Sequence, residues 1–204
     1  MGEPLRARDS APPGGAEVRE LRGALDDATL VARAAEGDAW AEEALYRRHV
    51  RRVTNTVSRV LGRTAEAEDA VQDTFLQVFH KLGTLRDTSL FERWLMRIAM
   101  NKVRGKLRKR KLLRTLGLDH TVDDATLERF AARETPPDVC AELRGIDRAL
   151  RDVSPGQRMA WTLHVVEGWS LPEVADACGC SLATSKRWIR KAKDRIERHL
   201  EGEP

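Results

Sequence analysis

Residues 170–192 read SLPEVADACGCSLATSKRWIRKA, and this stretch decides the fold. Ser170-Leu171-Pro172-Glu173 carries the marks of a helix start: a hydroxyl able to cap, a proline in the first turn, and a glutamate three residues on to complete a capping box. The short helix it opens sets Val174, Ala175 and Cys178 on a buried side and ends at Gly179. Ser181 then caps a longer helix, on which Leu182, Ser185, Ile189, Ala192 and Ile196 share one face. A short support helix, a glycine turn and a longer basic helix outline a helix-turn-helix. Ala183, Thr184, Arg187, Arg190 and Lys191 point away from the buried face. A short residue near the helix start followed by long basic ones suits insertion into a DNA major groove. Trp188 lies on the flank and reads as a packing residue rather than a base reader.

Working upstream, Ser154-Pro155-Gly156-Gln157 repeats the capping logic and opens a helix that runs to about Glu167, with Gly168 as its stop. Val139, Leu143, Ile146, Leu150 and Val153 mark the helix before it. In the N-terminal half, Leu45, Val50, Val53, Val57, Val60 and Leu61 recur at helical spacing in a stretch from about Ala39 to Leu61 that holds neither Gly nor Pro. Gly62 closes that helix and Thr64 caps the next, which runs to about Leu82 with Val71, Thr74, Phe75, Val78 and Leu82 inward. A third helix starts near Ser89 and buries Phe91, Trp94, Leu95 and Ile98, leaving Gly83 to Thr88 as a short loop. Gly105 weakens this helix toward its end. The expected fold is all-α: two small helical domains joined by a linker, the C-terminal one a helix-turn-helix.

The chain has 204 residues, 33% of them charged and only 5% aromatic, with a net charge of +4. That length suits two small domains, and a net charge so small says little about partners until its distribution is considered. From Arg97 to Arg114 there are nine Lys or Arg and no acid. From Lys186 to Arg198 there are seven bases against Asp194 and Glu197, whereas Leu116 to Glu142 holds seven acids and two bases. The acidic stretch, with Pro136 and Pro137, reads as a linker between two basic-ended domains. Met1 to Gly23 carries Pro4, Pro12, Pro13, Gly14 and Gly15 without an apolar run, which reads as a disordered cytoplasmic leader rather than a secretory signal. No stretch approaches the roughly 18 apolar residues of a membrane span. Cys140, Cys178 and Cys180 make no disulfide framework or zinc set, so no metal and no cofactor is expected. The P-loop, dinucleotide, zinc-protease and hydrolase signatures are also missing, and the chain does not read as an enzyme. His49 and His164 read as hydrogen-bonded helix residues.

Two further surfaces exceed what a core requires. A helical wheel places Arg93, Arg97, Asn101, Arg104 and Arg108 in one stripe beside the apolar face of the third helix. Arginines there can clamp phosphates and Asn101 can read a base edge, and no acid follows Glu92 in that helix to make it an ordinary ion-paired face. On the second helix Glu66, Asp69, Gln72, Asp73, Leu76 and His80 point outward, and an exposed Leu76 ringed by acids, with Phe79 at the edge, resembles a small protein-binding patch.

The run Ala67-Glu68-Asp69-Ala70-Val71-Gln72-Asp73-Thr74-Phe75, followed by Phe91-Glu92-Arg93-Trp94-Leu95-Met96-Arg97-Ile98-Ala99-Met100-Asn101, resembles region 2 of bacterial RNA polymerase sigma factors of the extracytoplasmic-function type. Leu30-Val31 to Gly37-Asp38 is similar to the start of that domain. Ala149-Leu150 through Gln157-Arg158, Glu167-Gly168-Trp169-Ser170 and the helix-turn-helix resemble region 4. Ser185, at a position usually apolar, Cys178-Gly179-Cys180 in the turn, and Pro172 in the support helix depart from the family pattern.

The resemblance implies that Asp69, Gln72, Asp73 and Leu76 bind the clamp of core RNA polymerase. It implies that Arg93, Arg97, Asn101, Arg104 and Arg108, with the loop from Gly83 to Ser89, engage the melted minus-ten element, and that Ala183, Thr184, Arg187, Arg190 and Lys191 read the minus-thirty-five element. The partners are then core polymerase and promoter DNA, and two domains on a linker would suit sequestration by an anti-sigma protein. The expected divisions are a leader over 1–26, a region 2-like domain over 27–113, an acidic linker over 114–138 and a region 4-like domain over 139–201. A transcription regulator that binds duplex DNA without polymerase is the alternative. A protein-docking adaptor is a third class, and it leaves the arginine stripe unexplained.

Overall fold

The computed structural model describes residues 25–62, 64–117 and 145–202. Most of the leader and of the acidic linker, together with Val139, Cys140 and Leu143, lies outside the described residues. Among those residues every regular element is helical. Helix α1 (Asp27–Ala35) begins where the Asp26 carboxylate accepts the Thr29 N–H at 2.8 Å. Helix α2 (Ala39–Leu61) begins at Asp38, which takes the N–H groups of Trp40 and Ala41. Gly62, at φ +82°, ends α2 in a conformation that side chains resist. Helix α3 (Ala65–Lys81) starts on the Thr64 hydroxyl. Its last turn passes through a 3₁₀ turn, Leu82–Thr84, to a second one, Thr88–Leu90, which leads straight into α4 (Phe91–Thr115).

Leu30, Leu45, Val53, Val57, Phe75, Val78, Phe91, Leu95 and Met100 are all within 3% of complete burial and form the centre of this four-helix unit. Full burial of one such side chain is worth about 1.5–3 kcal/mol. Val50 and Trp94 are only partly covered. Helix α4 continues unbroken through Gly105 for nearly three further turns, to Thr115. Its far end is tied back by Arg110, which pairs with Glu66 at 2.5 Å and donates to the Leu61 carbonyl. Those tertiary bonds offset the glycine's weak propensity, which the sequence alone registers as a weakness.

The C-terminal region comprises α5 (residues 145–151), α6 (Pro155–Trp161), a π-helical turn (Thr162–Val166), α7 (Leu171–Cys178) and α8 (Leu182–Leu200). The Ser154/Gln157 capping box is formed, Gly168 stops the π turn at φ +69°, and Gly179 is left-handed at φ +64°. Ala149, Leu150, Val153, Trp161, Ala192 and Ile196 make a core of its own.

The two helical regions touch extensively. Met159, Ala160, Leu163, Trp169, Val174 and Ala177 belong to the same buried apolar cluster as the N-terminal helices, with α6 against α2 and α7 against α4. Amphipathic patterning identifies each buried face but not that part of one region's face is covered by the other.

Candidate nucleic-acid interface

The turn between α7 and α8 is held by main-chain bonds from Gly179 N to Asp176 O and from Cys180 N to Ala175 O, both 3.0 Å. Cys178 is half-buried, and that burial, helped by nearby Cys180, pushes its thiol up to about 12. It is therefore a protonated packing group at neutral pH. Ser181 caps α8 by accepting the Thr184 N–H at 3.2 Å. Ala183, Arg187, Arg190 and Lys191 are exposed on α8, and Thr184 is half-buried with its hydroxyl 2.9 Å from that of Ser181. Opposite them Ser185, Ala192 and Ile196 are buried, and the Ser185 hydroxyl donates to the Leu182 carbonyl at 2.9 Å, satisfying the polar atom that its position would otherwise orphan. Leu182, expected inward, is 44% exposed. It sits in the first turn, ahead of where the neighbouring helices cover the face. Trp188 packs on α6, where a Cβ added at Gly156 would meet its ring at 3.0 Å.

On α4, Arg93, Arg97, Asn101 and Arg108 are exposed and Arg104 is half-buried. The acids that α4 lacks after Glu92 arrive from α7. Arg93 donates to the Glu173 carboxylate, and Arg97 lies 3.6 Å from Asp176. Arg104 donates to the Asp176 and Ala177 carbonyls at 3.2 and 3.3 Å and to Asn101 at 3.3 Å. Glu173 also accepts from the hydroxyl and N–H of Ser170 at 2.6 and 2.9 Å. The Ser170 bonds first, and Arg93 after them, hold its carboxyl down at about 2.

On α3, Asp69, Gln72, Asp73 and Leu76 are exposed, Leu76 at 71%. Asp69 is not free, since Lys106 of α4 reaches it at 3.3 Å. His80 is exposed and Phe79 half-buried. In the loop before α4, Asp87 accepts the Ser89 N–H and hydroxyl at 3.0 and 2.6 Å, and Arg86 and Leu90 stand exposed.

Three features escaped the sequence reading. Glu167, its side chain 2% exposed, accepts from Thr56 at 2.6 Å and pairs with Arg52 at 2.9 Å across the two regions. Glu173, legible as a capping residue, has a second partner in Arg93 that only the packing of α7 on α4 reveals. Asp27, His49 and Glu92 also meet, within 4.8 Å of one another, around a His49 that is 3% exposed. Arg48 and Arg52 already engage the two carboxylates at 2.5 and 2.7 Å. The cluster is thus an ion-pair network joining α1, α2 and α4, and its arginines compete with any cation. His164 bonds the Trp169 carbonyl at 2.7 Å.

Residues 45–112 match the Sigma-70 region 2 family and residues 143–196 the Sigma-70, region 4 family. The chain is 31% identical to the ECF RNA polymerase sigma factor SigM of Mycobacterium tuberculosis (strain ATCC 25618 / H37Rv), over 85% of this chain and 84% of that protein. It is 32% identical to the RNA polymerase sigma factor CarQ of Myxococcus xanthus, over 82% and 93%. Among solved structures it is similar to CnrH in complex with the cytosolic domain of CnrY, with a TM-score of 0.55 at 26% identity over 87% of this chain and 99% of that one. The fold is also that of the sigma factor RpoE of Bartonella quintana in complex with the anti-sigma factor NepR, with a TM-score of 0.61 at 23% identity over 78% and 96%.

Proposed function

This chain belongs to the extracytoplasmic-function sigma factors, the non-enzymatic subunits that direct RNA polymerase to particular promoters, and from that membership we propose how its surfaces divide the work. The α3 stripe of Asp69, Gln72, Asp73 and Leu76 docks on the clamp of core polymerase. Arg93, Arg97, Asn101, Arg104 and Arg108 of α4, with the loop before it, take the opened minus-ten strand. Ala183, Thr184, Arg187, Arg190 and Lys191 of α8 read the minus-thirty-five element in the major groove. The functional division follows 27–113 and 139–201, with the acidic segment 114–138 as the linker between them. The setting is the cytoplasm, where polymerase and promoters meet, and an anti-sigma protein is a further partner.

The observation that carries this reading is the pair of region 2 and region 4 matches in order along one chain, with exposed basic residues on α4 and α8 outside the apolar core. A duplex-binding regulator accounts for α8 but not for the acid-ringed Leu76 or the arginine track. Strand opening needs no chemistry from the protein, because capture of unstacked bases offsets an unstacking cost of a few kcal/mol.

The test uses Leu76→Ala with Asp73→Lys. Both side chains are exposed, so folding stability should change by no more than about 0.5 kcal/mol. Co-purification with core polymerase should be lost, because the apolar centre of the patch is removed and a rim charge reversed. A variant that stays folded and assembles normally removes this surface from the mechanism.

A further inference from the structure

The arginine track on α4 is occupied by the chain itself. Arg93 and Arg97 face the Glu173 and Asp176 carboxylates, and Arg104 is seated on the last carbonyls of α7, where the helix dipole concentrates negative charge. The seat depends on Gly179, at which a Cβ would lie 2.9 Å from the Arg104 guanidinium. Anionic and carbonyl oxygens thus meet arginines four and seven residues apart along α4, much as a phosphate backbone would. Beneath them lies the apolar contact of Leu163, Trp169, Val174 and Ala177, reinforced by buried Glu167 on Thr56 and Arg52.

We propose that the acidic edge of α7 is a docking surface whose partner is the arginine track of the same chain, and that single-stranded promoter DNA competes with it for those arginines. This rests on the reading of the track as the DNA site. The apolar contact and Glu167 set the closed geometry. The outer pairs remain exchangeable: Arg93 and Arg97 are about half exposed, and ion pairs at such sites are weak. Arg104 marks the compromise, since its Nε is buried with no acceptor among the described residues and regains one on leaving. The reader face of α8 stays open in the closed arrangement, so the competition masks the downstream contact and spares the upstream one.

The experiment compares full-length chains carrying Glu173→Gln with Asp176→Asn against a control carrying Asp152→Asn with Glu197→Gln. Glutamine preserves the capping box at Ser170, and the control removes two charges from the same region, where they pair with Arg195 and Lys193 away from the track. Affinity for a single-stranded oligonucleotide is read by fluorescence anisotropy, and the radius of gyration by X-ray scattering. The α7 variant should bind the strand about threefold to tenfold more tightly than the control at an unchanged radius of gyration, since the apolar contact and Glu167 still hold the closed geometry. Equal affinity overturns the competition. Arg97→Gln with Arg104→Gln then shows which premise failed: a loss of binding keeps the track as the DNA site and rejects the latch alone, whereas unchanged binding rejects the track itself.

Discussion

Gly105 and Gly156 both lie in helices, yet the same substitution should move them in opposite directions. A Cβ at Gly105 would meet nothing within 4 Å among the described residues, whereas one at Gly156 would meet the Trp188 ring at 3.0 Å. Gly105→Ala should therefore stabilise the chain by roughly 0.5–1 kcal/mol through helix propensity. Gly156→Ala should cost about 1–3 kcal/mol, because the indole must shift. Denaturant titration of the full chain measures both, and a neutral Gly156→Ala would mean that Trp188 does not rest on α6. Glu173 gives a pH signature. Its folded carboxyl sits at about 2, below the ordinary 4.5, so its contribution to stability is complete above 4.5 and is lost as pH falls through about 2. Carboxyl NMR should show that midpoint and should still show a depressed value when Arg93 is replaced, because the Ser170 bonds come first among its causes. A midpoint near 4.5 in the intact chain would contradict the bonding described. Ser185 shows what a pattern rule misses: its buried position looks wrong for a hydroxyl until the local bond to the Leu182 carbonyl is seen.

At the scale of elements, the helices whose ends are written in adjacent residues were legible from sequence. Ser154 with Gln157, Ser170 with Glu173, Thr64, Ser181 and Gly179 all act where they stand in the chain. The extension of α4 past Gly105 was not legible, because Arg110 draws its support from Glu66 and Leu61, more than forty residues away. The partners of the arginine track were hidden for the same reason, with Glu173 and Asp176 lying 80 and 79 positions from Arg93 and Arg97. Helix α8 gives the sharpest element-level expectation. Arg187 is exposed beyond a well-capped first turn, so Arg187→Ala should weaken transcription from promoters with a strong minus-thirty-five element and spare those that rely on the minus-ten element. One lost base-edge contact is worth about 1–3 kcal/mol. Equal loss at both promoter classes in single-round transcription would assign Arg187 to phosphate contact or to folding instead.

For the whole molecule, helical periodicity and charge segregation were enough to place two helical regions on either side of an acidic stretch, and the motif order pointed to the family. The way the regions meet was out of reach, since Leu163, Trp169 and Val174 carry the same apolar signature whether they face their own region or the other. That contact makes the molecule more than two modules on a tether, because the surface proposed to hold opened DNA is shared with the helix-turn-helix support. The most direct measurement is in vitro transcription by core RNA polymerase, with and without the full-length chain, on a randomised promoter library. The expected result is transcripts that appear only with the chain and start at a fixed distance from a shared pair of upstream and downstream elements. Duplex DNA binding by the chain without any such promoter-dependent transcript would contradict the account.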